Sequence, residues 1–348
     1  MLRITTSGVL KSYRLNLTQS YSNLTDAQHT VLTGRDFNSY AEDPATASEA
    51  FTLRRSFLRN QSQQDNCQAL ISQYDVAWST LESVISDISN EKSTSAFSSV
   101  MQGLSGPTGS GRKALGNSLL QTAKSLMQSM NVKYGDNYVF AGANGSEVPF
   151  TMDEDGTLRY QGVAVDDPAN QAELEALAGE SRYVDIGLGL QSRADGTVIE
   201  STAFNTAMCG IDYLGYGVDD QGLPNNIISA IHEMGTILAR CDENGSYSSD
   251  PQHAGDQERL TALFGKLSDL SSTLSSKHVE MDTQASFLQE NLTQLQNAAY
   301  TLNEQIVGLE EVDLAEAITD YSWAQYCYNA ALKVGNSILS ETLIDFMT

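Results

Sequence analysis

The chain has 348 residues, is 41% hydrophobic and 18% charged, and carries a formal net charge of −24. This length allows two or three domains, and the composition is not that of a highly charged disordered chain. The excess of acidic residues argues against nucleic acid as a general partner, because phosphate binding needs clustered Lys and Arg.

The sequence contains no run of about 18 consecutive apolar residues, so we expect no segment to span a membrane. Its start, MLRITTSGVLKSYRLNLTQSY, lacks the unbroken apolar core of a secretory signal peptide. The sequence therefore predicts a protein that stays in the cytosol, or one that leaves the cell by a route that does not read such a peptide.

The N-terminal segment has one apolar stripe with helical spacing. Its members are Leu10, Tyr13, Leu17, Ser20, Leu24, Ala27 and Val31.

The connector 33–43 then leads to a second helix. Gly34 suits the left-handed residue that ends a helix. Asp43 suits an N-cap and Pro44 the first helical position, where its missing N–H costs nothing.

The next segment predicts a long helix with a coiled-coil seam, in which apolar residues recur every 3.5 positions on average. The seam positions are Leu53, Phe57, Asn60, Gln64, Cys67, Ile71, Tyr74, Trp78, Leu81, Ile85 and Ile88. Asn60 and Gln64 are polar. Either they fix the register of the seam at a cost in stability, or they mark a local stutter or a solvent-facing stretch.

A third helix is predicted after the flexible turn 103–111, and we expect it to return against the long helix. Its apolar positions are Leu115, Leu119, Thr122, Leu126 and Met130. The predicted core of this layer is three long helices, two from the N-terminal half of the chain and one from the C-terminal half.

The middle of the chain has a different pattern. From about residue 137, Asp-Gly pairs at 155–156 and 195–196 lie between short alternating runs, which predicts hairpins. Short helices are predicted at 168–178 and 225–241. Residues 141–260 contain 21 Asp or Glu, five Arg and no Lys, which predicts a solvated acidic module.

The clearest seam lies near the C-terminus and predicts a helix of about 30 residues that pairs with the long helix of the N-terminal half. Its positions are Met281, Ala285, Leu288, Leu292, Leu295, Ala299, Leu302, Ile306 and Leu309. A last, weaker stripe contains Leu314, Ile318, Tyr321, Gln325, Tyr328, Leu332, Gly335, Leu339, Thr342 and Phe346. Paired with the N-terminal stripe, it would still leave much apolar surface exposed, which predicts packing between chains.

Three near-motifs for chemistry are incomplete. GPTGSGRKAL has the glycine spacing of a phosphate-binding loop, but Arg112 and Lys113 replace its Lys and Ser/Thr, and no strand leads into it. In IHEMGT, Thr236 replaces the second His of a zinc-protease helix. The DEDG segment lacks the closing Glu of a calcium loop. We therefore expect no catalytic residue, no cofactor and no metal site.

The four cysteines are far apart and form no CxxC pair, which argues against a metal or redox framework. Cys67 falls on the helical seam, so we expect it to be a buried free thiol.

Several segments resemble known motifs of the flagellin superfamily. LTGRDFNSYAEDPATASEAFTLR is similar to the superfamily's turn and helix start through Thr33, Gly34, Phe37, Asn38, Ser39, Glu42, Asp43, Pro44 and Ala47. NYVFAGANGSEVPF resembles a segment of the hook-associated protein 3 family of hook–filament junction proteins through Tyr138, Phe140, Gly142, Pro149 and Phe150.

The C-terminal end carries two further similarities. LEEVDLAEAITDYSWAQYCYNAAL resembles the D-x-A-E-A-I helix through Asp313, Ala315, Glu316, Ala317 and Ile318. The close, ILSETLIDFMT, is similar to the tail of the same family through Leu343, Ile344, Asp345 and Phe346. The chain departs from the superfamily in having four cysteines, and Gly335 weakens the helix propensity of the last stripe.

The resemblance implies a flagellin-like fold: mainly α, with an inserted β-rich domain on a long antiparallel coiled-coil stalk built from both chain ends. The predicted domains are a terminal assembly domain from 1–42 and 311–348, a long-helix coiled-coil domain from 43–136 and 256–310, and an acidic β-rich outer domain from 137–255.

The resemblance also implies a structural function. The chain would leave the cell unfolded through the flagellar type III apparatus, with a cytosolic chaperone on its C-terminal helix, and join hook-associated and flagellin subunits outside the cell. The predicted subunit interface comprises Leu10, Tyr13, Leu17, Leu24, Val31, Ile318, Tyr321, Leu332, Leu339, Leu343 and Phe346. The alternatives are a filament flagellin and a secreted enzyme on a flagellin-like stalk.

Overall fold

The structure, a computed structural model, describes residues 6–37, 41, 43–89, 95–106, 110–242, 246–247 and 255–347, with only the backbone at 6, 7, 9, 110 and 338–347. The helices are α1 (Thr6–Thr33), α2 (Pro44–Ile88), α3 (Ala96–Leu104), α4 (Ser110–Met130), α5 (Gln171–Ala178), α6 (Gly210–Leu214), α7 (Ile227–Ala239), α8 (Asp256–Glu310) and α9 (Leu314–Met347). The strands are β1 (Lys133–Tyr134), β2 (Asn137–Tyr138), β3 (Ala141–Gly142), β4 (Phe150–Met152), β5 (Leu158–Tyr160), β6 (Val163–Ala164), β7 (Tyr183–Val184), β8 (Phe204–Asn205) and β9 (Met208–Cys209).

The chain forms two compact units, one of Met1–Gln61 with Gln296–Thr348 and one of Ser62–Leu295. Long helices from both halves of the sequence pack antiparallel, and a region with short strands is inserted between them. The predicted fold class is therefore confirmed. Among the described helices, none combines the length and the apolar character that crossing a bilayer would require.

In the second unit, α2 and α8 form the predicted seam. The Cys67 thiol donates a hydrogen bond to the Leu288 carbonyl at 3.1 Å, and the Tyr74 hydroxyl donates to Gln284 Oε1 at 2.9 Å. The amide of Gln64 is half-buried and donates to the Leu295 carbonyl at 3.4 Å, so this polar seam position faces the partner helix. Burial raises the pKa of Cys67, which is the buried free thiol that its seam position predicted.

Helix α8 has 55 residues and begins well before the predicted seam. The prediction of about 30 residues counted only the strict heptad positions from Met281 onwards. Upstream of them, Leu260, Leu263 and Leu267 are fully buried at helical spacing and extend the packed face. Gly265 lies in this segment with open space around it and does not interrupt the helix.

Helix α7, which lies within the predicted outer domain, packs closely against α4. A Cβ at Gly116 would lie 2.7 Å from the Gly235 carbonyl oxygen, and a Cβ at Gly235 would lie 3.0 Å from the Gly116 oxygen and from the Leu120 nitrogen. Such an approach is possible only because both positions lack a side chain. The core around the third predicted helix thus includes α7 in addition to the long helices.

The inserted region is organised around aromatic side chains from its motif. Phe140 and Phe150 are buried, and the Phe150 ring packs on Tyr160 with 5.0 Å between centroids. The Tyr160 hydroxyl donates to the Phe140 carbonyl at 3.0 Å. Gly142 has a φ of +64°, and a side chain there would meet the Cys209 sulfur. These contacts explain the Phe and the Gly of the Y-x-F-x-G segment.

The predicted turns and short helices of the insert are confirmed. β4 and β5 pair antiparallel around Gly156, whose φ is +87°, and Asp155 Oδ1 accepts a hydrogen bond from Thr157 N at 3.1 Å. The second Asp-Gly pair forms a turn beside the antiparallel bridge between Ser192 and Val198. Helices α5 and α7 fall at the two predicted positions.

Asp166 in this insert should make stability depend on pH. Burial raises its pKa to about 6 from an ordinary 3.8, with Glu233 adding to the increase and Ser229 and Lys266 opposing it. The pKa of Asp166 is higher in the folded chain than in the unfolded chain. The stabilisation linked to its protonated carboxyl is therefore fully present below about pH 4 and is lost as the pH rises through 6.

We therefore expect Asp166→Asn to stabilise the protein by about 2–3 kcal/mol at pH 7.5 and to change it little at pH 4. Urea unfolding of both proteins at the two pH values measures the difference. An equal effect of the substitution at both pH values would show that Asp166 is not held protonated by burial.

Candidate assembly interface at the paired terminal helices

Well-defined helix ends separate the terminal helix α1 from the long helix α2. α1 ends at Gly34, whose φ is +68° and whose N–H donates to the Thr30 carbonyl at 2.8 Å. α2 begins at Pro44, and Asp43 Oδ1 accepts hydrogen bonds from Ala45 N at 3.0 Å and Thr46 N at 3.1 Å. The predicted helix stop and N-cap are confirmed.

The two connectors are hydrogen-bonded to each other. Val312 N donates to the Gly34 carbonyl at 3.1 Å, and Asp36 N donates to the Glu310 carbonyl at 2.9 Å. The Arg54 guanidinium also holds the Glu310 carboxylate through both of its oxygens, with Nε 2.6 Å from Oε1. This bidentate pair raises the pKa of Arg54 and lies close to the connectors where α1 ends and α9 begins.

Helices α1 and α9 pack against each other in antiparallel orientation. The rings of Tyr21 and Tyr328 lie 5.8 Å apart between centroids. Near the other end of the pair, Gly335 is buried, and a Cβ there would clash with the Tyr13 ring, approaching its Cε1 to 2.8 Å. Gly335 therefore leaves room for an aromatic side chain, which explains a residue that otherwise weakens the helix.

We expect Gly335→Ala to displace the Tyr13 ring and so to loosen the pairing of α1 and α9 near this position, because the new methyl group overlaps the ring. The double variant with Tyr13→Ala should restore the pairing, since it removes the ring that clashes. Amide hydrogen exchange along α1 and α9 measures this, with faster exchange in the single variant. If the amide hydrogens of the single and the double variant exchange at the same rates, the Tyr13 ring does not determine how closely the two helices pack.

The structure places the predicted interface residues in three groups. Leu10, Tyr13, Leu17, Leu24, Val31 and Tyr321 are half-buried, and those on α1 lie on the side of the helix that contacts α9. Ile318 and Leu332 are 47% and 42% exposed. Leu339, Leu343 and Phe346 belong to the end of α9 whose side chains lie outside the described residues. For all three groups, a role at the interface between subunits stays a prediction.

The face of α9 that packs on α1 shares Tyr321, Tyr328 and Gly335 with the predicted stripe and differs from it at other positions. Small residues and tyrosines occupy it at spacings of three and four: Ala317, Tyr321, Ala324, Tyr328, Ala331 and Gly335. Large aliphatic members of the predicted stripe, such as Ile318 and Leu332, remain exposed. The close approach of the two helices favours small side chains at their contact, so the larger ones lie beside it.

Exposed apolar side chains are concentrated in the first unit, which contains both terminal helices. Of the twenty large hydrophobic residues that are exposed among the described side chains, thirteen lie in it, although it contains only a third of the chain. They are Leu15, Tyr21, Leu32, Phe51, Leu58, Tyr300, Val307, Leu314, Ile318, Trp323, Tyr326, Leu332 and Val334. We call them the terminal apolar surface. Exposed apolar residues mark an interaction site where they form a contiguous patch, and their concentration here makes this unit the candidate.

Aromatic residues outside the predicted stripes form part of the terminal apolar surface. Trp323 and Tyr326 are each 67% exposed, and their rings stack with 5.8 Å between centroids. The sequence prediction missed them because it followed a single stripe along each helix. The sequence feature that could have revealed Trp323 and Tyr326 is a pair of large aromatic residues on a helix face that should otherwise be polar.

The near-motifs of the sequence have structural roles. The Arg112 Nε donates to the Gly103 carbonyl at 2.9 Å, and its guanidinium lies 4.8 Å from the centroid of the Tyr247 ring. His232 packs against Gly156 in the β4–β5 turn. Within the described part of the chain, no group of three or more His, Cys, Asp or Glu is arranged to hold a metal ion.

The terminal helix pair, the seam of α2 and α8 and the inserted region together define a flagellin-like fold. Solved structures with this fold include a protein from Vibrio parahaemolyticus described as a flagellar hook-associated protein. It has 15% sequence identity and a TM-score of 0.55, over 77% of this chain and 99% of that one.

Two further structures are similar. Flagellar hook-associated protein 3 from Legionella pneumophila has 11% identity and a TM-score of 0.53, over 74% of this chain and 98% of that one. FlgL from Xanthomonas campestris has 13% identity and a TM-score of 0.50, over 73% and 98% of the two chains. Neither a known protein family nor a curated protein matches by sequence. At these identities the likeness concerns the fold.

Proposed function

We propose that the chain is a structural subunit of the bacterial flagellum that forms the junction between hook and filament. The observation that carries this proposal is the terminal apolar surface, which one molecule leaves uncovered. Each large apolar side chain that a neighbour covers fully contributes about 1.5–3 kcal/mol. Several such residues in each subunit offset the cost of ordering the ends in an assembly.

The similar structures support the junction rather than another part of the flagellum. The three that are described above are named hook-associated protein or FlgL. The segment with Phe140 and Phe150 and the tail LIDFMT resemble the same group, whereas filament flagellins usually end differently. We further propose export of the unfolded chain by the flagellar type III route, a cytosolic chaperone on the C-terminal helix, an extracellular location, and a role without catalysis.

The three predicted domains remain part of this proposal. In it, residues 1–42 and 311–348 assemble, residues 43–136 and 256–310 provide the coiled coil, and residues 137–255 face outward. The bidentate pair of Arg54 and Glu310 lies beside the proposed boundary between the assembling and coiled-coil parts.

Immunogold labelling of intact flagella with an antibody against the acidic insert tests the proposal. The junction function predicts one narrow labelled band where the filament meets the hook. Label along the whole filament would instead identify a filament flagellin. Absence of label from flagella of cells that produce the chain would exclude both functions.

A further inference from the structure

A groove of about 560 Å³ lies on one side of α1, and its described walls combine apolar and basic side chains. Lys11, Leu15 and Thr18 line it at spacings of four and three residues, and Leu10 and Arg14 flank them. Lys11 and Arg14 are exposed, and Leu15 is 63% exposed. The α1 groove therefore offers apolar surface beside two positive charges, which suits an apolar partner that carries acidic groups.

A face with that composition lies near the start of α9. Glu316, Asp320 and Trp323 are exposed, and their spacings of four and three residues place them on one side of the helix. Tyr326 stacks on Trp323 and extends the aromatic part of this side. We call these four residues the acidic aromatic face. It is separate from the face that packs on α1, to which the buried Gly335 belongs.

Within one molecule, the α1 groove and the acidic aromatic face are far apart. Tyr328 packs on Tyr21, so Asp320, eight residues earlier in α9, lies level with about residue 29 of the antiparallel α1. That level is 15 residues beyond Arg14, which is about 22 Å along the helix axis. Charges this far apart are largely screened at physiological salt, where the Debye length is about 8 Å.

The charged side chains of both surfaces are available to a partner. Lys11, Arg14, Glu316 and Asp320 form no ion pair among the described residues. All four are exposed, so pairing with a second molecule requires no rearrangement of the helix pair.

The charges of the two terminal helices are also separated along their length. Residues 8–25 of α1 and 321–337 of α9 contain three basic residues and no Asp or Glu, whereas residues 26–33 and 314–320 contain three acidic residues and no Lys or Arg. The remaining acids of α9, Glu341 and Asp345, belong to the end whose side chains lie outside the described residues. Over its described part, the helix pair therefore has a positive end and a negative end.

We propose that the α1 groove of one subunit binds the acidic aromatic face of a second copy of this chain, displaced by about 20 Å along the helix axis. In this contact Lys11 and Arg14 pair with Glu316 and Asp320, and Trp323 covers the apolar wall of the groove. Cations also bind favourably to the face of an aromatic ring. The inference rests on the proposed function, because it names the partner of the terminal apolar surface.

A second copy is the partner that these surfaces favour, because one chain carries both of them. The groove of each subunit binds the face of the next, which is a heterologous contact that repeats from copy to copy and closes into a ring where the rotation allows it. The two surfaces also match in length. Each covers a seven-residue step, from Lys11 to Thr18 and from Glu316 to Trp323, or about 10 Å.

Photo-crosslinking in isolated flagella tests the proposal. The full-length chain carries p-benzoylphenylalanine at position 15, and mass spectrometry identifies the crosslinked peptides. We expect a dimer of this chain in which position 15 is joined to residues 316–326, which it cannot reach within its own molecule. The matched control carries the same photoreactive residue at position 287, in place of the exposed Phe287 of α8, and should give no crosslink to residues 316–326.

The other outcomes separate the two proposals. A crosslink from position 15 to another segment of this chain, to a different flagellar protein or to nothing would overturn the inference. If the chain is still found at the junction in those cases, the proposed function stands and the docking contact alone is wrong. Absence of the chain from flagella would overturn both.

Exchange of charges tests the pairing independently. Lys11→Glu combined with Arg14→Glu should lower the amount of chain in isolated flagella about tenfold, because like charges then face each other. Adding Glu316→Lys and Asp320→Lys should restore most of the incorporation, since the attraction returns with its signs exchanged. No recovery in the fourfold variant would overturn the pairing.

The control for the double variant is Lys113→Glu combined with Lys124→Glu at exposed positions of α4. It changes the net charge by the same amount and should be incorporated like the parent chain. Circular dichroism checks that each variant is folded. Equal losses in the control and in the double variant of the α1 groove would show that net charge, and not the groove, determines incorporation.

Discussion

Replacing Gly116 with valine will destabilise the second unit by about 3 kcal/mol or more, in the range of severe overpacking. The new side chain would meet the backbone of α7, at the Gly235 oxygen and the Leu238 carbonyl carbon. Backbone atoms in a packed helix cannot move aside as a flexible side chain does. Relief would require α4 and α7 to separate, which would open the core that they share.

Urea unfolding followed by circular dichroism measures this effect. The matched control is Gly265→Ala in α8, where a new Cβ meets nothing within 4 Å. That substitution should leave stability unchanged or raise it by up to about 1 kcal/mol, because Ala favours a helix over Gly. If Gly116→Val unfolded at the same urea concentration as the parent chain, the contact between α4 and α7 would be refuted.

Deleting residues 337–348 will leave the core of the second unit folded and abolish incorporation into the flagellum. The deletion shortens α9 just beyond Gly335, so the connectors and the contact of Tyr13 with Gly335 remain. It removes the predicted interface residues Leu339, Leu343 and Phe346, which are proposed to contact neighbouring subunits.

Circular dichroism of the purified deletion variant and its recovery in isolated flagella measure the two expectations. Full-length Gly265→Ala is the control and should be incorporated like the parent chain. Normal incorporation of the shortened subunit would contradict the proposal that the C-terminal residues are needed for assembly.

The features that the sequence predicted well depend on residues close together in the chain. Gly34, Asp43 and the Asp155–Gly156 pair each determine a helix end or a turn within a few residues. The two coiled-coil seams could be predicted equally well, because a periodic pattern shows which face of a helix is buried even when its partner is unknown.

The features that the sequence missed depend on residues distant in the chain. Gly116 and Gly235 are each unremarkable in a helix, and only their contact shows why neither can carry a side chain. The same holds for the pairing of Arg54 with Glu310. On α9, the predicted stripe contained Tyr321, Tyr328 and Gly335 of the face that packs on α1, but it missed the alanines that lie between them.

Neighbouring subunits are proposed to cover the terminal apolar surface, and Trp323 reports on this contact directly. The chain has two tryptophans, so Trp78→Phe leaves Trp323 as the one fluorescent indole. Acrylamide quenching of this variant should be compared between the free subunit and purified junctions. We expect strong quenching in the free subunit, where Trp323 is 67% exposed, and several-fold weaker quenching after assembly. Equal quenching in both states would contradict it.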